Sequence, residues 1–175
     1  MDDRAVVEAQ IERPARSVVD VVARCHLDVP VVIAVPPYLD DGTPFPTRYW
    51  LTCPLATRRI GRVESRGGVK AAERRIEHDP EYRRRFEAAS SRYAAEREAL
   101  IPADAPDFKP TGGVAGAMFG VKCLHAHYAD HAAGNDNPVG EETAGAIEPL
   151  DCVRPCVAEV DGVVVRNPIW VEPKR

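Results

Sequence analysis

No stretch of this chain approaches roughly eighteen consecutive apolar residues, so a membrane-spanning helix is not expected. No CxxC pair occurs, which removes the usual signature of a zinc finger or ribbon. Gly-Lys-Ser/Thr is missing, so there is no Walker A phosphate loop. No unit recurs at a period of about 20 to 50 residues, which argues against a solenoid or propeller. Neither sign of charge dominates. The 27 acidic residues face 23 Lys and Arg for a net charge of -4, and this excludes a wholly basic nucleic-acid binder. Met1-Asp2-Asp3 is acidic and no apolar stretch follows it, so no secretory signal is expected. The expected location is the cytoplasm, where the five cysteines would stay reduced.

What is present suits one folded unit. The chain has 175 residues and is 45% hydrophobic, enough to bury a core without disulfides. A single domain over residues 1–175 is expected. Residues 4–11 read as a short helix. Ser17–Arg24 and Pro30–Val35 are Val- and Ile-rich runs of strand length, and Phe45–Thr52 is a third. Pro54 suits the first turn of a helix over Leu55–Arg66, which Gly67-Gly68 ends. Lys70–His78 is a second charged helix. Asp79 as cap and Pro80 after it start the longest one, Glu81–Leu100, with Tyr82, Phe86, Ala89, Tyr93 and Leu100 as its buried stripe. A further helix is expected from about Met118 to Ala133, and a helical turn over Glu141–Ile147. Asp161-Gly162 between two Val runs marks a two-residue β-hairpin. Strands, then helices, then a hairpin predict an α+β fold: a small mixed or antiparallel sheet, about four helices and a single core.

The cysteines carry most of the chemical information. Cys152-x3-Cys156 has a spacing seen in zinc ligand pairs, but no second pair accompanies it. Any metal centre must then draw ligands from distant points of the chain. Cys25 closes the first strand and Cys53 ends the third. Cys123 opens the segment Cys123-Leu124-His125-Ala126-His127-Tyr128-Ala129-Asp130-His131. On a helix, Cys123, His127, Asp130 and His131 share a face and His125 points away. Thiolates suit zinc and iron–sulfur clusters alike, both being soft enough to prefer sulfur.

The motifs in order are Arg24-Cys25, Val29-Pro30, Asp41-Gly42-Thr43-Pro44-Phe45-Pro46-Thr47, Tyr49-Trp50-Leu51-Thr52-Cys53-Pro54, Val121-Lys122-Cys123-Leu124-His125 and Asn137-Pro138-Val139-Gly140. Together they resemble the bacterial family called domain of unknown function 501, common in actinobacteria, over about residues 17 to 156. Arg154-Pro155-Cys156 resembles a C-terminal cysteine of many members. The resemblance implies no activity. It implies a setting near septum-formation and exopolyphosphatase genes, and a cysteine–histidine pattern on Cys25, Cys53, Cys123, His125 and Cys156.

The expectation that follows is a metal-centre protein. Cys25, Cys53 and Cys123 converge to bind the cofactor, an iron–sulfur cluster (4Fe-4S) being favoured over zinc. Cys156 completes the metal set, and His125, His127 and Lys122 are the candidate catalytic residues. Lys122 is placed to neutralise a small anionic substrate or the thiolate cluster. The alternative is a zinc-stabilised, non-enzymatic adaptor linked to cell division or polyphosphate metabolism. A cysteine–histidine hydrolase, with Cys53 or Cys123 as nucleophile, ranks lower because no hydrolase signature accompanies it. Gly112–Gly120 reads as a loop packed on the core more readily than as a phosphate cradle. The arginines of residues 58–97 are interleaved with glutamates, which suggests a solvated surface rather than a grip on nucleic acid or polyphosphate.

Overall fold

The computed structural model describes residues 1–174. Asp2 accepts the amide of Ala5 and so starts helix α1 (Asp3–Ile11), which ends on left-handed Glu12. Three strands follow, β1 (Asp20–Arg24), β2 (Pro30–Ala34) and β3 (Tyr49–Leu51), paired antiparallel in that order. The central strand β2 is buried at every position, as its unbroken apolar run requires. Val32 packs into the largest core cluster with Leu55, Ile60, Leu124 and Tyr128. Ile33 packs with Val7 of α1. β3 is shorter than the run Phe45–Thr52. After Leu51 the chain leaves the ladder, with the Thr52 and Cys53 amides both donating to the Val31 carbonyl.

Cys53 holds the extended position before α2 (Pro54–Ser65), and Pro54 takes the first helical place, where a missing N–H costs nothing. Gly67, with φ +90, turns the chain into α3 (Gly68–His78). Asp79 Oδ1 accepts the amides of Glu81 and Tyr82 and starts α4 (Pro80–Ala99). Tyr82, Phe86, Ala89 and Tyr93 form its buried stripe as expected. Leu100 does not: it lies past the last helical residue and is 46% exposed. Arg97 takes the inner place at 1% exposed.

The helix expected from Met118 begins only at Leu124. Gly120 has φ +60 and Cys123 is extended, so residues 118–123 are loop, and α5 is Leu124–Ala132. The Glu141–Ile147 turn is the end of a longer helix, α6 (Pro138–Ile147), capped by the Asn137 side chain on the Gly140 amide. α5 and α6 cross closely at Gly140, where a Cβ would lie 2.2 Å from the His127 carbonyl oxygen. β4 (Val157–Val160) and β5 (Val163–Arg166) form the expected hairpin, with positive φ at both Asp161 and Gly162. The fold is α+β with two small antiparallel sheets, and among the described residues it has six α-helices rather than about four. None of them is long and apolar enough to cross a membrane.

Candidate functional site

Four cysteines meet in one narrow space. Cys25 sits in the tight turn after β1, where its amide donates to Val29 O and its carbonyl accepts from the Asp28 amide. Cys53 precedes α2, with the free amides of Leu55 and Ala56 beside its sulfur. Cys152 and Cys156 lie on the segment between α6 and β4. Buried Arg59 of α2 clamps that segment by donating to Ile147 O at 2.8 Å and Pro149 O at 2.6 Å, and by pairing with Asp151 at 2.9 Å. His26 Nε2 donates to the Cys152 carbonyl at 2.9 Å and ties the β1–β2 turn to the same segment. The enclosed volume is about 10 Å³, closed by Gln10, Leu55, Leu150 and Pro155.

This environment is apolar and has room for about one water molecule at most. Burial pushes the Cys53 thiol up to about 12, and the neighbouring sulfurs of Cys156 and Cys152 add to the shift. Burial also raises Cys156, whose neighbours include Cys152 and Cys25. Two sulfurs accept N–H groups: Gln10 Nε2 donates to Cys156 Sγ at 3.5 Å, and Trp170 Nε1 donates to Cys152 Sγ at 3.4 Å. Gln10 Oε1 has no hydrogen-bond partner among the described residues. A thiol held this far above neutrality is a poor nucleophile, so Cys53 does not suit hydrolase chemistry.

Cys123 lies elsewhere, and this corrects the expected convergence of Cys25, Cys53 and Cys123. Because Cys123 occupies the N-cap of α5, it follows that helix to a second, larger cavity of about 510 Å³. Phe45, Tyr49, Trp50 and Leu51 line its apolar part, with Lys122, Cys123, His125 and Thr57 on its polar side. Burial raises the Cys123 thiol as well, opposed by the amides of Ala126 and His125. His125 Nδ1 is 3.2 Å from Glu64 Oε1, and its Nε2 is 3.2 Å from the Thr57 carbonyl oxygen. Glu64 Oε1 also accepts the Leu124 amide at 2.6 Å. Lys122 Nζ donates to Ala115 O at 3.1 Å. Arg97 holds this side of the molecule by donating to the carbonyls of Pro46, Gly112 and Gly113. Those bonds tie the loop of Gly112 and Gly113 to α4.

His127 borders neither space. It is 1% exposed and stacks on Phe86, with Nδ1 donating to Asn137 Oδ1 at 3.0 Å. Burial holds its pKa down at about 4, so the ring is neutral. Asn137 in turn donates to buried Asp130, which pairs with Arg92 at 2.5 Å. The face Cys123–His127–Asp130–His131 is therefore not a ligand face: Cys123 precedes the helix, and His127 and Asp130 belong to a buried polar network. The site residues that sequence reasoning missed are Glu64, hidden among similar glutamates on the charged helices, and Cys152, whose place depends on the distant Arg59.

No curated protein and no solved structure matches this chain. A family model matches residues 21–145, a stretch that contains Cys25, Cys53, Glu64, Cys123 and His125 and stops short of Cys152 and Cys156. The chain thus belongs to the family described as Protein of unknown function (DUF501).

Proposed function

We propose that this chain is a metal-centre protein in which Cys25, Cys53, Cys152 and Cys156 bind an iron–sulfur cluster. The observation that carries the reading is the meeting of four thiols, from three separate stretches of chain, in one enclosed apolar space. Buried thiols with raised pKa values resist deprotonation, and a bound metal reverses that by stabilising the thiolates. The N–H donors of Gln10 and Trp170 are the kind of outer support that tunes cluster sulfurs. Spacing favours a cluster over one zinc ion. A tetrahedral zinc site holds its sulfurs about 3.8 Å apart. No three of these four come within 4.8 Å of one another. A cluster several atoms across spans a wider set, and it would need more room than the roughly 10 Å³ now enclosed by these residues. Four protein thiolates leave no open position, so the centre is read as structural or electron-carrying, and a small anionic substrate would bind elsewhere.

The test is anaerobic purification with an optical spectrum and analysis of iron, sulfide and zinc. The expected result is broad visible absorption with iron and sulfide, lost in Cys53→Ala and Cys156→Ala and retained in Cys123→Ala. Colourless protein with one zinc held by the same four residues would replace the cluster with a structural zinc site. Stable, metal-free protein would overturn both.

A further inference from the structure

The cavity beside α5 carries a second ligand set that does not depend on the four-thiol reading. We infer that Glu64, Cys123 and His125 form a mononuclear divalent-metal site, best suited to zinc, whose fourth position opens into the 510 Å³ cavity. One oxygen, one sulfur and one ring nitrogen from these residues lie within 4.8 Å of one another. Glu64 Oε1 and His125 Nδ1 are 3.2 Å apart. The edge of a tetrahedron with metal bonds of about 2.0 Å is about 3.3 Å, so this pair already has the separation of two ligands on one ion.

The histidine supplies an independent reason. Both ring nitrogens face acceptors, Glu64 Oε1 on one side and the Thr57 carbonyl on the other. A neutral ring has one N–H to give. If Nε2–H goes to Thr57, the lone pair of Nδ1 faces a carboxylate, an opposition resolved either by a second ring proton, which makes an ion pair with Glu64, or by a metal cation between them. The contact to Thr57 is the backbone-carbonyl bond that usually orients a metal-ligating histidine, and the Leu124 amide does the same for Glu64. Three protein ligands with a fourth position facing a cavity is the arrangement of a catalytic rather than a structural zinc.

The cavity also limits what would fill that position. Its walls at Phe45, Tyr49, Trp50 and Leu51 are apolar, and Lys122, whose charge acts on Cys123, is the one basic residue besides His125 in the lining. The ligand class is a small molecule with an aromatic or apolar body and a carboxylate or carbonyl oxygen directed at the metal and the Lys122 ammonium.

The experiment uses the full chain stripped of metal by chelator. Each cysteine is labelled with iodoacetamide, with and without zinc, and read by peptide mass spectrometry. Zinc is expected to slow labelling of Cys123 by about tenfold or more. That protection should vanish in His125→Ala and weaken in Glu64→Gln, while Cys25 and Cys152 label as in the parent chain. Circular dichroism establishes that both variants are folded. Unchanged Cys123 labelling in the parent chain, or protection that survives His125→Ala, overturns the site. Because Cys25 and Cys152 are read separately, failure of the four-thiol centre shows in different peptides. Cobalt in place of zinc then tests the ligand class. Benzoate is expected to shift the cobalt absorption, less so in Lys122→Met, and a spectrum indifferent to benzoate overturns the class.

Discussion

The two thiol-bearing regions are built on opposite principles. The four-cysteine pocket is closed and apolar, and its donors come from the β1–β2 turn, the start of α2 and the segment before β4. The Glu64–Cys123–His125 group is open, chemically mixed and set against a cavity with room for a small molecule. Each region is held by one buried arginine that donates to backbone carbonyls. Arg59 closes the first by fixing residues 147–151, and Arg97 shapes the second by fixing Pro46, Gly112 and Gly113. Closure suits a group that must be kept; openness suits one that must meet a ligand.

The largest effect is expected from Arg97→Met. It removes a buried guanidinium that donates to three partly buried carbonyls, of which Gly113 O keeps the Gly116 amide, and should lower stability by about 3 to 5 kcal/mol, measured by urea denaturation. A change under about 1 kcal/mol would show that water replaces the guanidinium, and that Arg97 does not hold the cavity wall. Arg59→Met should cost about 3 kcal/mol and lower metal content at the four-thiol pocket by about tenfold. Zinc protection of Cys123 should be untouched. Equal losses in both regions would dissolve the distinction between them.

His127 sharpens the comparison from the other side. Its folded pKa, near 4, lies below the unfolded value near 6.5. As pH falls through that window the unfolded chain takes up a proton that the native chain refuses. Stability should therefore drop by up to about 3 kcal/mol between pH 6.5 and 4. In His127→Gln that share of the acid-side loss should disappear, read from urea midpoints across the window. Asp130, raised by burial in the same network, acts in the opposite sense but is present in both chains. The substitution should leave Cys123 protection intact; a loss there would make His127, not His125, the working histidine. The smallest effect belongs to Trp170→Phe, which removes the N–H donor to Cys152 and should cost about 1 kcal/mol or less. Its sharper readout is faster alkylation of Cys152 relative to Cys123.

Much of the fold was legible because its signals are local. The Asp79 cap, Pro54 and Pro80 at helix starts and Asp161-Gly162 in the hairpin act within a few residues, and each appears where it was expected. The start of α5 was not, because helical spacing over Met118–Cys123 says nothing of the left-handed turn at Gly120. Leu100 and Arg97 exchanged their expected places for a similar reason. Spacing marks which face points inward, while the carbonyls that make a buried guanidinium tolerable come from loops far along the chain. The candidate site was half legible. Cys25 and Cys53 could be paired as strand ends, yet what adds Cys152 and sends Cys123 away is long-range packing.

The segment bearing Cys152 and Cys156 has a consequence for how the protein matures. Cys25 and Cys53 emerge from the ribosome early, while their partners follow only after α6 has been made. In the proposed four-thiol centre those two residues are only half of the ligand set, and loading would wait for the polypeptide that closes over them. The site proposed at Cys123 would be under no such constraint, since Glu64, Cys123 and His125 have all been synthesised by residue 125.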